Sequence, residues 1–116
     1  MEIKLRRLGT IYVIDIAGEM DLYNAFKLKE TVTLMIGRKI REYIINLEKV
    51  SYMDSSGIGA LLFVFAELKK RGLLLRIASV KGSVKRVIEL TKLSGYLPLS
   101  TGLTEAIVEI QRTGST

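Results

Sequence analysis

Two short runs of almost unbroken apolar residues, Tyr43 to Leu47 and Leu73 to Ala78, constrain this chain most. A strand with one solvated face alternates polar and apolar residues, whereas a strand apolar on both sides must be covered on both. Helical patterns bracket the two runs. Leu22, Ala25, Phe26, Leu28, Val32, Met35 and Ile36 precede the first at helical spacing. Ile58, Leu61, Leu62, Phe65 and Leu68 form one stripe between them, and Val84, Val87, Ile88 and Thr91 share a face after the second. Strands that alternate with helices predict right-handed crossovers and a largely parallel sheet.

The ends extend this pattern. Glu2 to Arg6 alternates, with Ile3 and Leu5 on one side, and predicts a half-buried strand. Leu8-Gly9 supplies a turn, and Thr10 to Ala17 completes a hairpin. Asp15 inside that second strand fits an edge or a sheet end, where water solvates it. Gly18-Glu19-Met20-Asp21 reads as a loop, with Asp21 capping the helix that follows. Gly37 is expected to cap the first helix, and Gly72 and Gly95 to end the second and third. Leu97-Pro98-Leu99 suits a short edge strand. Thr101 to Gln111 predicts a last helix, buried through Leu103, Ala106, Ile107 and Ile110, with fraying from Arg112. The expected fold is α/β, in the order β-β-α-β-α-β-α-β-α. It is a single domain over 1–112 with a tail over 113–116. The sheet is mixed but mostly parallel, of about five strands, with an N-terminal hairpin and four helices.

Composition removes most chemistry. The chain has no Cys and no His, so thiolate catalysis, a disulfide and a Ser–His–Asp triad are excluded. No spaced cluster suggests a metal site or cofactor, and no enzymatic activity is expected. Hydrophobic residues are 48% of the chain, enough for a core. The N-terminus lacks the continuous apolar core of a signal peptide, and no apolar run approaches the ~18 residues of a membrane span. A cytoplasmic protein is expected, with a monomer favoured. The net charge of +6 is scattered over Arg6-Arg7, Lys27 and Lys29, Arg38 to Arg41, Lys69 to Arg71 and Lys81 to Arg86. No aromatic residues interleave with these charges, so neither nucleic acid nor membrane is an expected partner.

Tyr52-Met53-Asp54-Ser55-Ser56-Gly57-Ile58-Gly59 lies between the first apolar strand and the second helix. Two hydroxyls stand at that helix start. They can serve as a plain cap in a tight turn, with Gly57 and Gly59 allowing close packing. Alternatively, they form a phosphorylation switch, because a phosphate there meets backbone N–H groups and the positive end of the helix. Ligands of open α/β sheets gather at the carboxyl ends of parallel strands. The loops Gly18 to Asp21 and Val50 to Ser56 both leave such ends, so Asp21, Asp54, Ser55 and Ser56 are expected together. The spacing matches neither a nucleotide-binding loop nor a Gly-x-Ser-x-Gly elbow.

Asp54-Ser55-Ser56-Gly57-Ile58-Gly59, with the preceding strand and Val50-Ser51-Tyr52-Met53, resembles the signature of bacterial anti-sigma-factor antagonists, which are STAS domains. Gly18-Glu19-Met20-Asp21 resembles that family's strand–loop–helix element, and length and element order agree. The resemblance implies binding to an anti-sigma factor that is also a serine kinase, release of the sigma factor, phosphorylation of Ser56, and reset by a serine phosphatase. It places Asp21, Asp54, Ser55, Ser56 and Gly57 around the partner site. Many relatives carry Asp where this chain has Asn46. Other members of the fold act as scaffolds in stress-signalling or lipid-transport complexes, which is the alternative role.

One further residue is singled out by helical phase. At ~100° per residue, Phe63 falls opposite the stripe of Ile58, Leu61, Leu62, Phe65 and Leu68, beside Ala60 and Glu67. An aromatic not needed by the core is expected to anchor a partner.

Overall fold

The computed structural model describes residues 1–114. Five strands form one sheet: β1 (Glu2–Leu8), β2 (Ile11–Met20), β3 (Glu42–Met53), β4 (Leu74–Ala78) and β5 (Leu99–Ser100). Four helices follow the expected order: α1 (Phe26–Gly37), α2 (Ser55–Lys70), α3 (Gly82–Leu90) and α4 (Leu103–Gly114). The spatial order is β1-β2-β3-β4-β5, with β1 antiparallel to β2 and the other pairs parallel.

The long strands are apolar on both faces because each face has its own cover. Ile14, Ile16, Tyr43, Ile45, Leu75 and Ile77 pack with buried residues of α1, α2 and α3. Val13, Ile44 and Ala78 pack with Ala106 and Ile110 of α4. Arg76 fastens α4 to the edge: it donates to the Ser100 hydroxyl and the Leu99 carbonyl and pairs with Glu109 at 2.6 Å. Among the described residues, no helix is long and apolar enough to cross a membrane.

Several boundaries differ from expectation. Gly18 to Met20 is strand, not loop, and β3 runs on to Met53. The β2–β3 register shifts between Asp15 and Ala17 and again between Gly18 and Glu19. Gly18 takes φ +96°, a conformation that costs a residue with a Cβ, and so lets β2 bend there. Met20 then pairs with Met53, and both strands end side by side. The first helix begins at Phe26, and its leading residues 22–25 are a turn. Lys39, not Gly37, takes the left-handed conformation after α1, at φ +65°. Lys92 does so after α3, which ends at Leu90 well before Gly95. The final helix reaches Gly114, into the stretch expected to fray; Ser115 and Thr116 lie outside the described residues. Leu5 is exposed rather than half-buried.

Asp15 is not at an edge, since β2 is flanked by β1 and β3. Its neighbours stabilise it instead. Arg6 donates to both carboxylate oxygens, at 2.5 and 3.0 Å, and the Asn46 amide donates at 2.9 Å. Burial opposes the charged form. The Arg6 and Asn46 hydrogen bonds and the charges of Arg6 and Lys49 outweigh it, and the carboxyl is held below its ordinary range. Asn46 therefore has a structural reason: a carboxylate in its place would face Asp15 at hydrogen-bond distance. Tyr43 is buried too, and burial pushes its phenol up to about 12 while its hydroxyl donates to the Ile40 carbonyl.

Candidate functional site

The carboxyl ends of β2 and β3 carry the predicted residues, and Asp54 ties them together. Its backbone N–H donates to the Met20 carbonyl at 3.1 Å, continuing the strand pairing past Met53. Its Oδ1 accepts from the amides of Ser56, at 2.8 Å, and Gly57, at 3.3 Å. The cap of α2 is thus Asp54 and neither serine. Its Oδ2 accepts from the Leu22 amide at 3.2 Å and clamps the β2–α1 turn against the helix start.

That turn is self-supporting. Asp21 Oδ1 accepts from the Tyr23 amide, and the Asp21 carbonyl accepts from Asn24 and Ala25. The Asn24 side chain accepts from the Asp21 amide and donates to the Glu19 carbonyl. Asp21 therefore caps this turn and not α1, whose N-cap is Ala25 without a side-chain bond. Asn24 is a positioning residue that hydrophobic periodicity does not single out. An Asp-x-x-Asn spacing at the end of a strand was its available signal, because both side chains fold back on local backbone.

Ser55 is exposed and Ser56 half-buried at the first two helical positions. Neither hydroxyl has a hydrogen-bond partner among the described residues. Since Asp54 already engages two of the leading amides, a phosphate on Ser56 would not be drawn into the helix end.

Gly57 is buried and does not face solvent. A Cβ there would lie 2.4 Å from Met53 Cγ and 3.1 Å from both the Met20 Cβ and carbonyl oxygen. In this position it lets α2 seat directly on the paired strand ends. Gly59 differs, because an added Cβ would meet nothing within 4 Å.

Phe63 is exposed, as its phase predicts, but Ala60 is fully buried and does not lie beside it on the surface. The buried stripe of α2 comprises Gly57, Ile58, Ala60, Leu61, Val64 and Leu68, with Leu62 and Phe65 half-buried at its margin. α2 packs on α1 as well as on the sheet, which rotates the stripe toward Ala60 and Val64. Lys29 of α1 places its ammonium 5.1 Å from the Phe63 ring centroid. Phe26 lies one turn before Lys29, and Leu22 and Tyr23 lie on the turn held by Asp54. Relative exposures are 71% for Leu22, 84% for Tyr23, 51% for Phe26 and 41% for Phe63. Leu22 and Phe26 were expected in the core; instead, Leu22 stands on the turn before α1, and Phe26, the first residue of α1, falls by helical phase away from the buried Leu28, Val32 and Met35. The result is an apolar surface next to two unpartnered hydroxyls and two carboxylates. No group of three or more acidic side chains suited to a metal ion occurs among the described residues.

The STAS domain family model matches residues 2–106. An anti-sigma-B factor antagonist of Staphylococcus aureus (strain NCTC 8325 / PS 47) is 33% identical over 91 residues, which is 78% of this chain and 84% of the relative. Among solved structures, an anti-sigma factor antagonist from Mycobacterium paratuberculosis superposes with a TM-score of 0.86 at 21% identity, over 95% of this chain and 93% of that one. The Bacillus cell fate determinant SpoIIAA in its phosphorylated form gives a TM-score of 0.71 at 23% identity, over 94% and 99%. With a family model that spans nearly all its elements and a relative of this similarity, the chain belongs to the STAS domain family.

Proposed function

We propose that this chain is an anti-sigma-factor antagonist that docks an anti-sigma factor with serine-kinase activity and is switched off by phosphorylation at Ser56. One observation carries the proposal. Asp54 caps α2 and clamps the neighbouring turn with a single carboxylate, leaving the serine hydroxyls unpartnered beside Leu22, Tyr23, Phe26 and Phe63. Ser56 is half-buried at the helix start, and no hydrogen bond among the described residues uses its hydroxyl. The apolar side chains supply the buried contact, and Phe63, with the Lys29 ammonium over its ring, is its anchor. Asp21, Asp54 and Ser55 complete the contact surface, with Gly57 beneath it. A phosphoserine brings roughly −1.5 to −2 charge at neutral pH. Placed among Asp21, Asp54 and apolar side chains, that charge costs the interface and spares the core. Similarity to an anti-sigma-B factor antagonist supports the role, and the solved phosphorylated SpoIIAA shows that a protein of this fold tolerates phosphorylation. The role needs no catalysis by this chain, which acts by binding; a serine phosphatase resets it, in the cytoplasm.

The test is incubation with the cognate kinase and ATP, followed by mass-spectrometric mapping. Wild type is expected to take one phosphate, on Ser56. Ser56→Ala should stay unmodified and still bind. Ser56→Asp should bind poorly yet melt within ~2 °C of wild type, as a surface substitution does. Phosphate on Ser55 would overturn the assignment.

A further inference from the structure

Four of the cations that look scattered along the chain converge at the other end of the sheet. β2, β3 and β4 begin there, a strand's length from Ser56; for the ten residues of β2 that is on the order of 30 Å. The β1–β2 hairpin and the α1–β3 connection border an open cleft of about 630 Å³. Arg7 comes from the first, and Arg38, Lys39 and Arg41 from the second; all four line it. None of these four cations lies within ion-pair distance of a carboxylate among the described residues. Among the described residues Glu42 is the one acidic side chain in the lining, and it accepts from the Thr10 hydroxyl. The floor is less polar: Tyr12 lies under the Arg7 guanidinium at 5.9 Å, with Ile40 and Leu74 half-buried beside it.

Lys39 sharpens the case. It holds a left-handed backbone, φ +65°, at a helix end where glycine is the favoured residue. A β-carbon is disfavoured in that conformation. Lys92 holds the same conformation after α3, so Lys39 counts here for the charge it brings to the cleft.

We infer that this cleft binds a small anion carrying two or more phosphate groups, through Arg7, Arg38, Lys39 and Arg41. Unpaired cations held together repel one another, and a bound polyphosphate relieves that repulsion. Three of the four are arginines, whose fork geometry suits phosphate oxygens. The volume lies in the range of small-ligand pockets, ~300–1,000 Å³. The cations surround a concavity, whereas a membrane or a nucleic-acid backbone is met by a flat or elongated basic face. The site is distinct from the serine surface and does not rest on the function proposed for it.

Inorganic tripolyphosphate is the probe, titrated calorimetrically into the whole chain at 0.15 M salt. Saturable binding at one site is expected. Its amide shifts should centre on Gly9, Thr10 and Lys39 to Glu42. Lys39→Gly combined with Arg41→Gln should weaken binding about tenfold or more, as loss of charge-assisted hydrogen bonds does. That variant should melt no lower than the Arg41→Gln single variant, since glycine suits position 39. Lys85→Gln with Arg86→Gln removes the same charge from the exposed face of α3 and should leave affinity unchanged. Equal weakening by both pairs would show mere net-charge attraction and overturn the site. So would shifts centred on Ser55 to Ile58, or no saturation by 1 mM probe. A parallel arm uses phosphatidylcholine vesicles bearing a bisphosphorylated inositol lipid. Vesicle binding without tripolyphosphate binding would overturn the small-anion assignment; binding of both, lost together in the double variant, would support it with a lipid headgroup as the source.

Discussion

Gly57→Ala tests how the site is held. The methyl would sit 2.4 Å from Met53 Cγ, far inside the ~3.5–4.0 Å of an ordinary carbon contact. Met53 and Met20 are both buried, and the clashing Cγ is near the root of its side chain. Met20 adds two contacts at 3.1 Å, one of them backbone. Relief requires α2 to lift away from the strand ends, which stretches the Asp54–Met20 and Leu22–Asp54 hydrogen bonds. Overpacking of this kind costs about 3 kcal/mol at its upper end. Alanine returns up to ~1 kcal/mol of helix propensity. The net is a loss of ~2 kcal/mol, a fall of roughly 8 °C in melting temperature for a domain of this size. Gly59→Ala is the control. It meets open space on an exposed helical position and should gain ~0.5–1 kcal/mol. Thermal and urea melts of the two variants decide the matter. If Gly57→Ala melts at or above wild type, or if the two variants behave alike, α2 is not seated as described.

Three other outcomes are expected. Asp54→Ala removes the cap of α2 and the clamp on the turn, and should cost ~1–2 kcal/mol of stability while loosening the Leu22 amide to hydrogen exchange. Asn46→Asp puts a second carboxylate against Asp15 and should cost ~1–3 kcal/mol at pH 7, through a lost hydrogen bond and like-charge opposition. Because Asp15 is depressed in the fold, its contribution is full above the ordinary carboxylate value of ~3.9 and fades as pH falls below it. The variant's pair shares a proton more readily, so its deficit should shrink on acidification; a deficit constant from pH 7 to 3 would exclude the charge explanation. Phe63→Ala should cost ~1–3 kcal/mol of affinity for the anti-sigma partner with little change in melting; a large fall in melting temperature would place the ring in the core.

The order of elements is legible in the chain because periods of 2 and 3.6 alternate cleanly. What escapes is set by contacts that no local pattern encodes. Leu22 keeps helical spacing with Leu28 and Val32, yet the Asp21–Asn24 turn replaces the first helical turn and exposes it. Asp15 looks misplaced until the hairpin brings Arg6 across and the parallel pairing brings Asn46 alongside. Gly57 and Gly59 are alike in sequence, and only the seating of α2 on Met20 and Met53 separates them. Ala60 joins the buried stripe because α2 packs on a helix as well as on a sheet. The grouping of Asp21, Asp54, Ser55 and Ser56 was foreseeable, since both loops leave the carboxyl ends of neighbouring strands. The cleft of Arg7, Arg38, Lys39 and Arg41 was not, since its cations join only through topology.

The most direct test of the switch is the affinity of the anti-sigma kinase for this chain with and without phosphate on Ser56, measured by calorimetry alongside the melting temperatures of both forms. Phosphorylation is expected to weaken binding about a hundredfold or more, the scale of a buried unfavourable charge, with melting temperatures nearly equal. Equal affinities, or a loss that appears only because the phosphorylated chain unfolds, would contradict it.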